Sequence, residues 1–274
     1  MELEKAYRNT RFLESPAARP LRILAEYLEP DHRLGHYRIE NTIVFFGSAR
    51  ILPRDVAQQR LDNLQRRRPD SSAVRRAERA LELSAYYEDA RELARQLTIW
   101  SKEEIRDSDE RFYVSTGGGP GIMEAANRGA SEAGGRSVGL NISLPMEQQP
   151  NPWQTRELAF DFHYFFMRKF WFFYLAKAMV VMPGGFGTFD ELFELMTLVQ
   201  TQKTRKPLPI VLYGSAFWRE AVNLELLADW GLISDEDLSL FRICDTVEEA
   251  FTYLTEQISL HYLSDRMPSD HDHQ

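Results

Sequence analysis

Two apolar runs in this chain each end in a glycine-rich turn that opens a helical pattern. The downstream one passes from Ala178-Met179-Val180-Val181-Met182 through Pro183-Gly184-Gly185-Phe186-Gly187 into Thr188-Phe189-Asp190-Glu191-Leu192. The upstream one passes from Arg111-Phe112-Tyr113-Val114-Ser115 through Thr116-Gly117-Gly118-Gly119-Pro120-Gly121 into Ile122-Met123-Glu124-Ala125-Ala126-Asn127. Glycines let backbone N–H groups approach a ligand closely, and the helix dipole favours negative charge at such a turn. One glycine loop constrains little. Two strand–glycine–helix units constrain much more, because in an open parallel sheet such loops gather at the carboxyl edge, where ligands bind.

The rest of the chain supplies the partners for such a sheet. Thr42-Ile43-Val44-Phe45-Phe46, Ser137–Ile142 and Leu208–Gly214 are further apolar runs of strand length, and Leu158–Tyr164 suggests a short one. Helical patterns fall at Ala77–Leu97, from Ile122 to the Gly134-Gly135 pair, at Phe217–Asp229 and at Val247–Ile258. Phe165–Ala176 is helical and aromatic nearly all round, which predicts burial on several sides and a subunit interface as well as a core. Alternating strands and helices predict an α/β doubly wound sheet. Residues 1–40 form a polar N-terminal arm with a short helical pattern at Leu21–Leu28, and residues 41–262 the main domain. The arginine-rich stretch 50–73, poor in apolar periodicity, reads as an insertion or mobile flap; Arg66-Arg67-Arg68 and Arg75-Arg76 read as a solvated face, with a phosphate or partner contact as the alternative. Residues 263–274 read as a disordered tail, in which His271 and His273 are solvated.

Composition excludes several classes. A net charge of −8 argues against broad nucleic-acid or anionic-membrane binding. The apolar region Phe160–Met182 is interrupted by His163, Arg168, Lys169 and Lys177, which argues against a membrane span. Cys244 is the only cysteine, and Met1-Glu2-Leu3-Glu4-Lys5 lacks the apolar core of a signal peptide, so a cytoplasmic protein is the default. No His-x-x-x-His or Cys-x-x-Cys spacing suggests a metal. The dinucleotide, Walker and Gly-x-Ser-x-Gly patterns are absent, and no cofactor is expected.

Three sets of residues stand out for chemistry. Arg168 and Lys169 open the aromatic helix, where two cations either snorkel to solvent or, in the case of the arginine, present a planar fork to a phosphate or ribose. Thr188 and Glu191 have capping-box spacing, which would make Glu191 a structural cap rather than a reactive group. Glu124, three residues after Gly121, likewise suits the first turn of a helix.

Taken together, these residues resemble the LOG (Lonely guy) family, long mislabelled as lysine decarboxylases. Pro183–Glu191 fits its signature Pro-Gly-Gly-x-Gly-Thr-x-x-Glu, and Met167-Arg168-Lys169 fits the Arg-Lys pair that precedes it. Gly117–Asn127 looks like the first glycine loop of bacterial members, and Gly47-Ser48-Ala49-Arg50 resembles the end of the first strand. The likeness runs from about residue 41 to residue 258 and implies a Rossmann-like fold in a homodimer or larger assembly. It also implies hydrolysis of the N-glycosidic bond of a nucleoside 5′-monophosphate, AMP or a cytokinin riboside 5′-monophosphate, to free base and ribose 5-phosphate. By resemblance Arg168 and Glu191 are catalytic, and Gly184, Gly185, Gly187 and Thr188 cradle the phosphate. Gly118, Gly119, Glu124, Met167 and Lys169 are carried to the substrate cleft. The alternative is a non-catalytic nucleotide or molybdenum-cofactor carrier on the same fold. The arm at 1–40 and the insert at 50–73 depart from the short plant-like members.

Overall fold

The computed structural model describes residues 4–66, 70–105, 107, 110–144 and 149–264. The arm contributes α1 (Thr10–Leu13) and α2 (Arg19–His36). There follow β1 (Asn41–Phe46), α3 (Arg54–Gln65), α4 (Ser71–Glu104), β2 (Phe112–Thr116), α5 (Ile122–Glu132), β3 (Ser137–Ile142) and β4 (Ala159–Phe162). The second half adds α6 (Phe165–Leu175), β5 (Ala176–Val181), α7 (Phe186–Gln200) and β6 (Ile210–Tyr213). It closes with α8 (Ser215–Ala221), α9 (Leu224–Asp229), β7 (Arg242–Cys244) and α10 (Val247–Ile258).

The seven strands form one sheet in the order β4-β3-β2-β1-β5-β6-β7, with every pairing parallel. The chain winds outward from β1 to β4, then returns to β5 on the other side of β1. This is the expected α/β doubly wound class, and the β1/β5 boundary is its switch point. β1 is apolar throughout because both faces of the sheet are covered. Ile43 and Phe45 pack with Tyr87, Leu93 and Leu97 of α4, Ile122 and Ala126 of α5, and Leu254 of α10. Val44 and Phe46 face the opposite core, with Trp171 and Phe172 of α6, Leu192 and Leu195 of α7, and Trp218 of α8.

Two expectations are corrected here. Residues 54–65 are not a flap but α3, which packs along α4 and buries Ala57 and Leu61. A stripe of two residues at i, i+4 is enough to dock a helix on an existing one, yet too narrow to stand out as periodicity. Arg75 and Arg76 are exposed, as a solvated face requires, whereas Arg67, Arg68 and the tail from 265 lie outside the described residues. The helical pattern at Phe217–Asp229 is two helices. Val222 is extended, and Asn223 starts α9 afresh by accepting the Leu226 N–H at 3.0 Å.

The arm is tied to α6. The Glu26 carboxylate accepts the backbone N–H groups of His163 at 2.8 Å and Tyr164 at 3.2 Å, capping α6 from a neighbouring helix. The Trp171 indole donates to the Glu26 carbonyl at 3.0 Å. Arg33 donates to the Ala159 carbonyl and lies 3.8 Å from the centre of the Phe160 ring. α6 buries Met167, Trp171 and Phe172 but leaves Phe166 and Tyr174 about half exposed. Its outer face adjoins Tyr27 of α2, whose ring centre is 5.5 Å from that of Phe170.

Candidate active site

A cavity of about 790 Å³ opens over the carboxyl ends of β1, β2, β3 and β5, across the switch point. Both glycine loops reach it, but they are built differently. In the upstream loop, the Ile122 N–H at the start of α5 is taken by the Ser48 carbonyl at 3.1 Å. Gly121 lies so close to that loop that a Cβ would fall 2.3 Å from the same carbonyl, at φ +72°, so only glycine fits. Gly118 and Gly119 are held from behind. The Asn151 side chain donates to both carbonyls at 3.0 Å, and Gln154 donates to that of Gly118 at 2.8 Å. Buried Asn127 completes this scaffold by accepting from Thr116 and Asn151 and donating to Ser137.

The downstream loop is open. α7 begins at Phe186 with Gly185 as its N-cap, and no side chain caps it. The N–H groups of Thr188 and Phe189 turn back to the Gly185 carbonyl, at 2.9 and 3.1 Å. Those of Phe186 and Gly187, at the first two helical positions, have no intrahelical acceptor and are available to an anion. Gly184 is where the chain must pass closest: a Cβ there would sit 2.1 Å from the Thr188 hydroxyl oxygen.

The capping-box spacing of Thr188 and Glu191 is therefore not used. Thr188 is already the third residue of α7, and Glu191 lies on its second turn, 3% exposed. Glu191 points into the protein beside Arg168 of α6, with guanidinium and carboxylate 3.7 Å apart. The Arg168 guanidinium lies 5.2 Å and 5.6 Å from the ring centres of Phe165 and Phe172. The pair is imperfectly satisfied: Glu191 Oε2 and Arg168 Nε are both buried without a hydrogen-bond partner. Burial accordingly pushes the Glu191 carboxyl up to about 7, against the opposing pull of Arg168 and Lys169. Burial also lowers Arg168, against the pull of Glu191 and Asp190. A desolvated carboxyl poised near neutrality, in a cavity, has the attributes of an acid–base group.

Not every residue named from the sequence reaches the cavity. Arg168, Glu191, Gly119, Gly184, Gly185, Gly187 and Thr188 line it; Gly118, Glu124, Met167 and Lys169 do not. Glu124 turns away to accept the Tyr87 hydroxyl at 3.0 Å. Met167 is in the core. Lys169 bridges α6 to α7 through Asp190, at 2.8 Å, and Glu194, so it sets the spacing of the helices that carry Arg168 and Glu191. Sequence reading missed the scaffold of Asn127, Asn151 and Gln154. It also passed over Met123, Asn141, Phe165 and Phe172 as cavity walls.

A doubly wound parallel sheet with a glycine-opened helix and a buried Arg–Glu pair at its switch point places the chain among Rossmann-like α/β proteins. The model of a family described as possible lysine decarboxylase matches residues 123–254, which include both Arg168 and Glu191. The chain is 27% identical over 150 residues to a protein of Oryza sativa subsp. japonica named probable cytokinin riboside 5′-monophosphate phosphoribohydrolase LOG4. That match spans 54% of this chain and 64% of the rice protein's length. A crystal structure of the structural-genomics target TM1055 aligns with a TM-score of 0.48 at 22% identity, over 79% of this chain and 99% of that one. Both matches are to proteins of the LOG kind, and the chain is similar to them over its second glycine loop and the Arg168–Glu191 pair. Among the described residues, no helix is long and apolar enough to cross a membrane.

Proposed function

We propose that this protein hydrolyses the N-glycosidic bond of a purine nucleoside 5′-monophosphate, AMP or a cytokinin riboside 5′-monophosphate, releasing free base and ribose 5-phosphate. The observation that carries the reading is Glu191: a buried carboxylate with one unpartnered oxygen, held beside Arg168 in the cavity one turn beyond an open helix N-terminus. The 5′-phosphate sits on the N–H groups of Phe186 and Gly187, which anchors the ribose at a distance from the reacting bond. The bond between ribose C1′ and the base nitrogen breaks, and its electron pair leaves with the base. Positive charge develops on the ribose and is stabilised by the Glu191 carboxylate. Water adds at C1′ and gives its proton to Glu191, while the departing base takes up a proton. Arg168 holds the ribose and orients Glu191. A mere carrier has no use for a carboxylate buried at such a cost, so the carrier reading is the weaker one.

The test is chromatography of the purified protein with AMP, other nucleoside 5′-monophosphates and adenosine, watching for free base. Free adenine from AMP, with adenosine cut far more slowly, is the expected result. A dianionic phosphate on a helix terminus gains charge-assisted hydrogen bonds worth roughly 1.5–3 kcal/mol each, and adenosine forgoes them. Equal turnover of the two would remove the α7 terminus from its role.

The assembly we propose is a homodimer in the cytoplasm, using the exposed aromatic face of α6 with Tyr27 of α2. Light scattering should give twice the chain mass of 31.9 kDa. A monomeric mass at micromolar concentration would dismiss this face as a contact.

A further inference from the structure

Among the described residues, three ionisable side chains line the cavity: Arg50, Arg168 and Glu191. Arg168 and Glu191 face each other at 3.7 Å, and with Glu191 ionised the pair carries no net charge. Arg50 is exposed, and among the described residues its guanidinium has neither an ion-pair nor a hydrogen-bond partner. Among the described residues, the uncompensated charge of the cavity wall is thus Arg50, in a chain whose overall charge is −8. Its backbone is fixed. The Arg50 N–H donates to the Ser48 hydroxyl at 3.1 Å, and the Ser48 N–H donates to the Pro183 carbonyl at 3.0 Å. The Ser48 carbonyl in turn receives the Ile122 N–H. The loop carrying Arg50 is therefore stitched to the loop that opens α7 and to the start of α5.

We propose that Arg50 is the phosphate-recognising arginine of this site, closing over a phosphate monoester seated on α7 and selecting nucleotides over nucleosides. This inference rests on the functional reading above and adds to it. The helix terminus offers two backbone donors and partial charge, which leaves a dianion under-neutralised. Arg168 does not supply the missing charge, because Glu191 already claims it. A guanidinium with a free planar face offers the bidentate geometry that phosphate oxygens accept. Being exposed when empty costs Arg50 nothing, and its reach from a tethered loop lets it fold over the ligand.

The experiment compares the native protein with Arg50→Ala and Arg50→Lys. Steady-state kinetics are run on AMP and adenosine, and ribose 5-phosphate binding is followed by calorimetry. In Arg50→Ala, KM for AMP should rise roughly 10–100-fold, and ribose 5-phosphate affinity should fall by a similar factor. kcat and the adenosine parameters should stay within a few-fold of native values, with Arg50→Lys in between. Unchanged KM and unchanged ribose 5-phosphate affinity would overturn the proposal while leaving the hydrolase reading intact. A fall in kcat equal to the rise in KM would overturn it too, since the residue would then act in the chemical step. If the native protein cleaves no AMP, the hydrolase reading fails, and calorimetry still decides for Arg50. Binding of ribose 5-phosphate that weakens in Arg50→Ala upholds the proposal; absent or unaltered binding ends it.

Discussion

Glu191→Gln is expected to release adenine from AMP ~10²–10⁴-fold more slowly than the native protein, the usual cost of losing a positioned base. The substitution is close to isosteric and touches no cap, since α7 is capped at Gly185 and Glu191 lies on the second turn. AMP affinity should persist, because the proposed phosphate seat is the start of α7. The pH dependence gives a second handle. With the carboxyl pushed up to about 7, Glu191 is protonated below neutrality and ionised above it. A base must be ionised to act, so kcat/KM should climb as pH rises toward 7 and flatten beyond it. The Gln variant should lack that rise. Stability runs the other way. The folded-state value lies above the ordinary 4.5, so the folded protein holds the proton more tightly between pH 4.5 and about 7. The contribution of this group to stability is present below that window and declines as pH rises through it. Native turnover by Glu191→Gln would end the proposed mechanism.

The sheet was legible because its strands are buried on both faces. Ile43 and Phe45 look one way, Val44 and Phe46 the other, and both cores demand apolar side chains. The same signal marked β5 and β6. It failed at α3, where Ala57 and Leu61 suffice for docking on α4. It also failed at Val222, where one extended β-branched residue ahead of an asparagine cap divides α8 from α9. At the site, local sequence announced both glycine loops but not which helix terminus is open. That depends on the Ser48 carbonyl, 74 residues before Ile122, occupying one of them. Capping-box spacing points Glu191 to a cap role that it does not have, because the helix starts three residues earlier than that spacing implies, at Phe186 with Gly185 as its N-cap. Met167 and Lys169 adjoin Arg168 in the chain, yet the helix turns them to the core and to α7. Adjacency on a helix separates side chains by about 100°. The partnership of Arg168 with Glu191 came from family resemblance, and their approach to 3.7 Å is a product of two helices packing on one face of the sheet.

Arg168→Lys is expected to lower kcat/KM by about 10²-fold, the scale of loss from displacing a reacting group by about 1 Å. Charge is conserved, so Glu191 keeps a cation in its surroundings, and the large penalty of stranding a buried ion without a partner is avoided. What disappears is the flat guanidinium near the rings of Phe165 and Phe172, and with it the planar fork that the proposed mechanism uses to hold the ribose. An ammonium on a flexible stem satisfies neither ring as well and settles at a different distance from Glu191. Weaker attraction leaves burial less opposed, so the Glu191 carboxyl should titrate higher and the rise of kcat/KM should move to more alkaline pH. The melting temperature should change by no more than a few degrees. Calorimetric melting and a pH–rate profile on the same preparation separate the two roles. A variant that melts far lower yet keeps native specific activity in its folded fraction would make Arg168 a prop of α6, and its place in the chemistry would be lost.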